Sequence, residues 1–223
     1  MPNQKSKKIL IYFFIFLLIG SLNNKDFEFI NFFKVNKIII TGLNEESNYE
    51  LYENLNFLRN NNLLFLSKNK IKDILSSNSL VEKYFIFKRY PSTLDIKIHQ
   101  TKFLAKMIKD NENFYLGSNG KLTKIIDPSI DLPIIFGDFS NQSFFELKKA
   151  IDQTKFEYDE IKRLFFFKSG RWDIEMKKGL LIKLPQNEIQ NSLKLAISFL
   201  SNSLKNDISL IDLRQNNQII VNE

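Results

Sequence analysis

The stretch Val81-Glu82-Lys83-Tyr84-Phe85-Ile86-Phe87-Lys88-Arg89-Tyr90-Pro91-Ser92-Thr93-Leu94-Asp95-Ile96-Lys97-Ile98 decides the fold. Val81 to Lys88 reads as a strand, and Tyr90-Pro91-Ser92 as a turn. Leu94, Ile96 and Ile98 then alternate with polar residues, so period two puts them on one face of a second strand. Just upstream, residues 68–77 place Ile71, Ile74 and Leu75 on one face of a helix, with Ser67 as its N-cap. Asn60-Asn61-Asn62 and then Leu63 to Leu66 precede it. Residues 45–60 carry Tyr49, Tyr52, Leu55 and Phe57 near helical spacing. Residues 32–41 are rich in β-branched side chains and stop at Gly42, which predicts an opening strand. The order is β-α-α-β-β, and no linker rich in Gly or Ser interrupts it.

Downstream the pattern changes. Phe103 to Ile108 and Phe114 to Leu122 predict short strands around Asn111-Glu112 and Ser118-Asn119-Gly120 turns. Leu132-Pro133-Ile134-Ile135-Phe136-Gly137 follows. Ser143-Phe144-Phe145-Glu146 matches a capping box that opens a helix with Phe144, Leu147 and Ile151 inward. Leu164–Lys168, Trp172–Met176 and Leu180–Leu184 predict three tightly joined strands, with Ser169-Gly170 and Lys178-Gly179 as turns. Asn187 to Lys205 is the clearest helix, with Ile189, Leu193, Ala196, Ile197, Leu200 and Leu204 in one stripe. A last strand runs from about Ile208 to Val221, with Asn216-Asn217 as a turn or kink. Several strands with two helices make an α+β domain.

The N-terminus sets the compartment. Lys5, Lys7 and Lys8 precede an uncharged run from Ile9 to Leu22. As a helix that run spans about 21 Å, against a hydrocarbon core of about 30 Å. Its length suits either a signal anchor or the apolar part of a cleaved signal. Gly20-Ser21-Leu22-Asn23-Asn24 is a poor cleavage site, which favours an uncleaved transmembrane segment over 9–22 with snorkelling lysines. Under either reading the lysines keep residues 1–8 in the cytoplasm and send the rest across the membrane.

Composition narrows the chemistry. The formal charge is +7, but 27 of the 32 basic residues are Lys and they are scattered. Nucleic-acid readers favour Arg and cluster it on one face, so the charge does not predict nucleic-acid binding. With no cysteine there is no disulfide and no thiolate site. His99 is the single histidine and falls off the apolar register of its strand, so it cannot build a His-based zinc site. No HExxH, GxSxG or phosphate-binding loop is present. Glu45-Glu46 and Asp159-Glu160 sit at a helix start and in a connection, where solvated acids are ordinary. No cofactor, metal or small-molecule substrate is expected.

Taken in order, these motifs resemble the bacterial cell-division family FtsQ/DivIB, over about residues 32–221. The opening strand ending in Gly matches Val35 to Gly42, and the step before the second helix resembles Asn61-Asn62-Leu63 with Leu66 beyond. The family's POTRA signature matches Val81, Phe87, Arg89, Tyr90-Pro91, Thr93-Leu94, Ile96 and Ile98. Leu132-Pro133 with Gly137 fits a second motif. Trp172, Ile174, Met176, Gly179, Ile182 and Leu184-Pro185 fit a hairpin motif, and Ile211-Asp212-Leu213-Arg214 fits the closing one. The chain departs from the family near Gln100, Thr101 and Phe103, at Gly117 and at Gln215.

The resemblance implies one N-terminal transmembrane helix, a POTRA domain over 32–100 and a mixed or antiparallel β domain over 101–223. It implies a non-enzymatic scaffold in the inner membrane at the septum, single-pass, with its bulk in the periplasm. The partners it implies are the periplasmic parts of FtsB and FtsL, and other division proteins such as FtsW, FtsI and FtsK. FtsB would add a strand to the C-terminal edge, through Asp212, Arg214, Gln215, Asn217, Ile219 and Val221. Asp212 and Arg214, two residues apart, share a strand face; they form either a surface ion pair or the border of that site. A POTRA-type component of outer-membrane assembly or secretion is the alternative, although such proteins carry tandem POTRA units or a barrel of many alternating strands.

Overall fold

The computed structural model describes residues 4–22, 32–124, 129–202, 208–215 and 218–222. Helix α1 spans Gln4–Leu22, and its side chains from Ile9 to Ile19 are all exposed. Among the described residues no helix is long and apolar enough to cross a membrane. The lysines at 5, 7 and 8 lie within α1 and leave it a short uncharged stretch. The rest divides into two compact units.

The first unit carries β1 (Lys37–Thr41), α2 (Glu45–Leu55), α3 (Lys68–Ser77), most of β2 (Val81–Arg89) and most of β3 (Thr93–Gln100). The strand order is β1-β3-β2, and β1 runs parallel to β3 with Ile38 opposite Leu94 and Ile40 opposite Ile96. A parallel neighbour needs a long crossover, which α2 and α3 provide. Leu51 and Leu55 of α2, Ile71 and Leu75 of α3, and Leu94 and Ile96 of β3 are buried. Asn44 caps α2 by accepting from Ser47 N at 2.9 Å, and Ser67 caps α3 as its position predicts. Two elements are shorter than expected. The opening strand begins at Lys37, because residues 33–35 bond instead to 61–63. The first helix ends at Leu55 and tightens into a 3₁₀ turn over Asn56–Asn60.

The second unit takes in residues 79–82 and everything from 100 onward. It contains β4 (Phe103–Lys109), β5 (Glu112–Gly117), β6 (Leu122–Lys124), β7 (Ile134–Phe136), α4 (Asn141–Asp152), β8 (Ile161–Phe166), β9 (Trp172–Met176), β10 (Leu181–Lys183), α5 (Ile189–Asn202), β11 (Leu210–Asp212) and β12 (Ile220–Asn222). Among the described residues nine strands form one sheet in the order β12-β11-β10-β9-β8-β7-β4-β5-β6. Two parallel neighbours, β7 with β8 and β10 with β11, are bridged by α4 and α5 respectively. The other neighbours are antiparallel, apart from β4 with β7.

The two helices and one sheet face enclose a single core. Leu164, Ile174, Ile182 and Ile211 line up across β8 to β11, against Phe144, Leu147 and Ile151 of α4 and Leu193 and Ala196 of α5. Trp172 is fully buried there, its ring centroid 4.8 Å from that of Phe166 and 5.7 Å from that of Phe139. Gly137, just after β7, sits at φ +105°, and a Cβ there would overlap the Phe166 carbonyl oxygen; this explains a glycine at the end of the Leu132-Pro133 motif.

Two expectations need correction here. The N-cap of α4 is Ser140, whose hydroxyl accepts from Ser143 N at 3.2 Å. Ser143 turns its own hydroxyl back to Ser140 O, and Glu146 accepts from Gln142, so the expected box does not form. The last strand is two strands, because Arg214 N bonds the Asp212 carboxylate and leaves the ladder at that point. Of the α5 stripe, Leu193 and Ala196 are buried and Leu200 is exposed; Leu204 lies outside the described residues.

Candidate partner-binding edge

The C-terminal edge of the large sheet is β12. It pairs antiparallel with β11, with Ile211 opposite Val221 and Asp212 opposite Ile220. Among the described residues no strand lies beyond it. Its outer row of N–H and C=O groups is therefore a template for another strand. Its two apolar side chains are uncovered: Ile220 is 49% exposed and Val221 40%.

A charged row borders this edge. Cross-strand registry sets Asp173, Lys183, Asp212 and Ile220 side by side on β9 to β12. They occupy the sheet face opposite the helices, because the buried Ile174, Ile182 and Ile211 alternate with them. Asp212 is buried and bound by Arg214 in a fork: Nε reaches Oδ1 at 2.9 Å and Nη2 reaches Oδ2 at 2.5 Å. The Arg214 amide adds a third bond at 3.0 Å. Hydrogen bonding by Arg214 holds the Asp212 carboxyl below the usual carboxylate range. The pair is thus not the simple surface ion pair of one sequence reading, since its acid is out of water.

Asp173 behaves in the opposite way. It is buried, and that burial outweighs Arg171 and pushes its carboxyl up. Arg171 Nε lies 3.7 Å from Asp173 Oδ1, and neither atom has a hydrogen-bond partner. The Arg171 guanidinium instead stacks over the Phe167 ring at 4.3 Å. The row thus holds a paired acid, Asp212, next to β12 and an incompletely satisfied one, Asp173, on β9, three strands in from β12.

The six expected residues do not form one patch. Asp212 and Arg214 are joined, and Val221 lies in β12. Gln215 lines a shallow depression with Glu188, Ser192 and Leu195 at the start of α5. Ile219 turns toward the core and is half-buried. Asn217 lies outside the described residues. Ile220 on β12, and Lys183 and Asp173 along the charged row, are residues the sequence did not single out. The period-two alternation of Trp172-Asp173-Ile174 carried a signal for Asp173, since a polar residue between two core residues must face the other way.

His99 is exposed, with its ring edge-on to Phe85 at 5.7 Å. Among the described residues no group of acids, His or Cys is placed to hold a metal ion. Tyr158, whose hydroxyl donates to Leu104 O at 2.7 Å, is pushed well above its ordinary range by burial.

Comparison with known proteins follows the same division. The family described as POTRA domain, FtsQ-type, matches residues 33–99. The family described as cell division protein FtsQ/DivIB, C-terminal, matches residues 106–214. The cell division protein FtsQ of Rickettsia bellii is 23% identical over 192 residues, covering 85% of this chain and 72% of the relative. That of Rickettsia prowazekii is 24% identical over 194 residues with the same coverage. That of Bradyrhizobium diazoefficiens is 24% identical over 200 residues, covering 85% of this chain and 56% of the relative. A three-stranded POTRA unit followed by a mixed sheet with an open terminal edge defines a POTRA-bearing protein of bacterial cell division. The chain belongs to the FtsQ/DivIB family. These matches do not favour an outer-membrane assembly component.

Proposed function

We propose that the chain is a non-enzymatic divisome scaffold, and that its β12 edge receives an extended segment of FtsB. In this reading α1 is a signal anchor in the inner membrane, with residues 1–8 cytoplasmic and the POTRA and β domains, 32–100 and 101–223, periplasmic at the septum. FtsL and other division proteins such as FtsW, FtsI and FtsK complete the partner set. The single observation that carries the reading is the exposed apolar edge of β12. Added main-chain hydrogen bonds supply affinity, and Asp212 with Arg214 beside the edge supplies specificity. The exposed apolar run of α1, preceded by lysines, supports the anchor.

The test titrates the full chain, and a chain ending at Leu213, with the periplasmic part of the FtsB–FtsL pair. Both must first give the same folded spectrum. Binding by the longer chain alone sustains the edge assignment. Equal binding by both removes the edge from the reading, and binding by neither removes the partner.

A further inference from the structure

The first unit has an unusual end. The chain arrives from α1 through residues 32–36, and these are tied down locally. Val35 N donates to Asn61 O at 3.1 Å, and Leu63 N donates to Phe33 O at 2.7 Å. Asn36 N and Lys37 N both donate to Ser92 O. Arrival segment, residues 61–67 and the 90–92 turn therefore meet at one end of the unit, which we call proximal. Residues 23–31 can span at most about 30 Å, so this end stays close to α1.

The proximal end is apolar where it should be polar. Phe65 is 84% exposed, Phe32 61% and Tyr90 56%. Phe57 and Leu64 are exposed beside them, and Phe57 and Phe65 line one shallow depression with Lys70. A loop gains nothing by holding phenylalanine in water, so a cluster of such residues marks a contact surface. Its charge is equally one-sided. Lys34 lies in the arrival segment, Lys68 and Lys70 open α3, and Lys88 Nζ bonds the Leu64 carbonyl at 3.1 Å. Lys68 and Lys70 in the first turn of α3 oppose the helix dipole, so they are not there to stabilise α3. Glu45 and Glu46 open α2 at the other end of the unit, beyond the far end of β1.

We propose that this proximal end rests on the bilayer that holds α1, with Phe65 and its neighbours in the interfacial layer and the lysines on anionic phospholipid headgroups. Aromatic residues flanked by lysines are the chemistry of interfacial binding. Each lysine near an anionic surface strengthens that contact in a salt-dependent way. The inference rests on α1 being the anchor. It goes beyond that reading by giving the POTRA unit a fixed face toward the membrane.

The chain has no cysteine, so one introduced thiol carries one label. Full-length F65C, E46C and F16C are labelled with an environment-sensitive dye and reconstituted into vesicles containing phosphatidylglycerol and headgroup-region spin-labelled lipid. Positions 65 and 46 are exposed, so neither label disturbs the core. The expected result is a blue shift and strong quenching at 65, an aqueous spectrum at 46, and deep insertion at 16. The signal at 65 should be lost in pure phosphatidylcholine and in K34Q/K68Q/K70Q. If 16 is inserted while 65 is as aqueous as 46, the docking is overturned with the anchor intact, and the tip belongs to a protein partner. If 16 is aqueous, the anchor reading fails and takes this inference with it. Equal shielding of 65 in phosphatidylcholine overturns the choice of anionic lipid.

Discussion

The large sheet has two edges of equal length and opposite character. At one end β6 is Leu122-Thr123-Lys124, half-covered, with Lys124 bound to Glu112 at 2.6 Å. At the other end β12 is Ile220-Val221-Asn222, exposed on both faces and without charge. A lysine on an edge strand is a known means of discouraging strand addition, because an incoming strand would have to bury or displace it. Only β6 uses it. The same sheet thus closes one edge and leaves the other ready, and the difference lies in side chains rather than in backbone.

The strongest challenge is to the core that both edges share. Trp172→Ala should lower the unfolding free energy by about 3–5 kcal/mol, measured by denaturant titration, and both edges should be lost in one transition. A variant that kept one edge ordered would break the picture of a single sheet.

Next comes the buried acid beside β12. Arg214→Leu leaves the Asp212 carboxylate only the amide of residue 214 and should cost about 1–3 kcal/mol. It should also change the acid limb of stability. Because Asp212 titrates lower when folded than unfolded, its stabilisation is present above about pH 3.9 and fades as pH falls through the folded value. Asp173 works against this, since its raised value favours the folded state only at low pH. Removing Arg214 should therefore flatten the loss of stability on acidification, read by thermal unfolding across pH; an unchanged slope would place the depression elsewhere.

A smaller effect separates the edges directly. Ile220→Lys with Val221→Lys should weaken partner binding by tenfold or more, about 1.4 kcal/mol, with folding little changed. Thr123→Lys on β6 should leave binding as it was. The least effect is expected from Lys124→Ala, under about 1 kcal/mol in stability because the pair is exposed. Its visible consequence should be concentration-dependent self-association, followed by light scattering.

The sequence made the first unit legible because each of its elements carries a strong local signal. Ile71, Ile74 and Leu75 have helical spacing; Leu94, Ile96 and Ile98 alternate; Gly42 and Pro91 mark the breaks. The hairpins of the second unit were equally plain, since Ser169-Gly170 and Lys178-Gly179 supply turns with positive φ at Gly170 and Gly179. Three things were hidden. Ser140 and Ser143 both suit an N-cap, and only the neighbouring geometry selects the first. The split of the final strand depends on the Asp212 carboxylate reaching both Arg214 groups, a side-chain event that no periodicity records. The charged row that runs up to β12 depends on registry among β9, β10 and β11, with twenty-eight residues between Lys183 and its neighbour Asp212 on β11. Local pattern cannot carry pairing over that distance.

The strand order has a further consequence. From β7 to β12 each strand pairs with the next in the chain, so β12 can detach without disturbing any other pair, whereas β9 cannot. Local opening should follow that nesting, with amide exchange fastest in β12, slower in β11 and slowest around Trp172. The proposed docking edge is then the least protected part of the sheet when empty. By mass action, a partner at about a hundred times its Kd would add about 2.7 kcal/mol to that opening, and the terminal hairpin would change from the first segment to open into one that opens only after its guest has left.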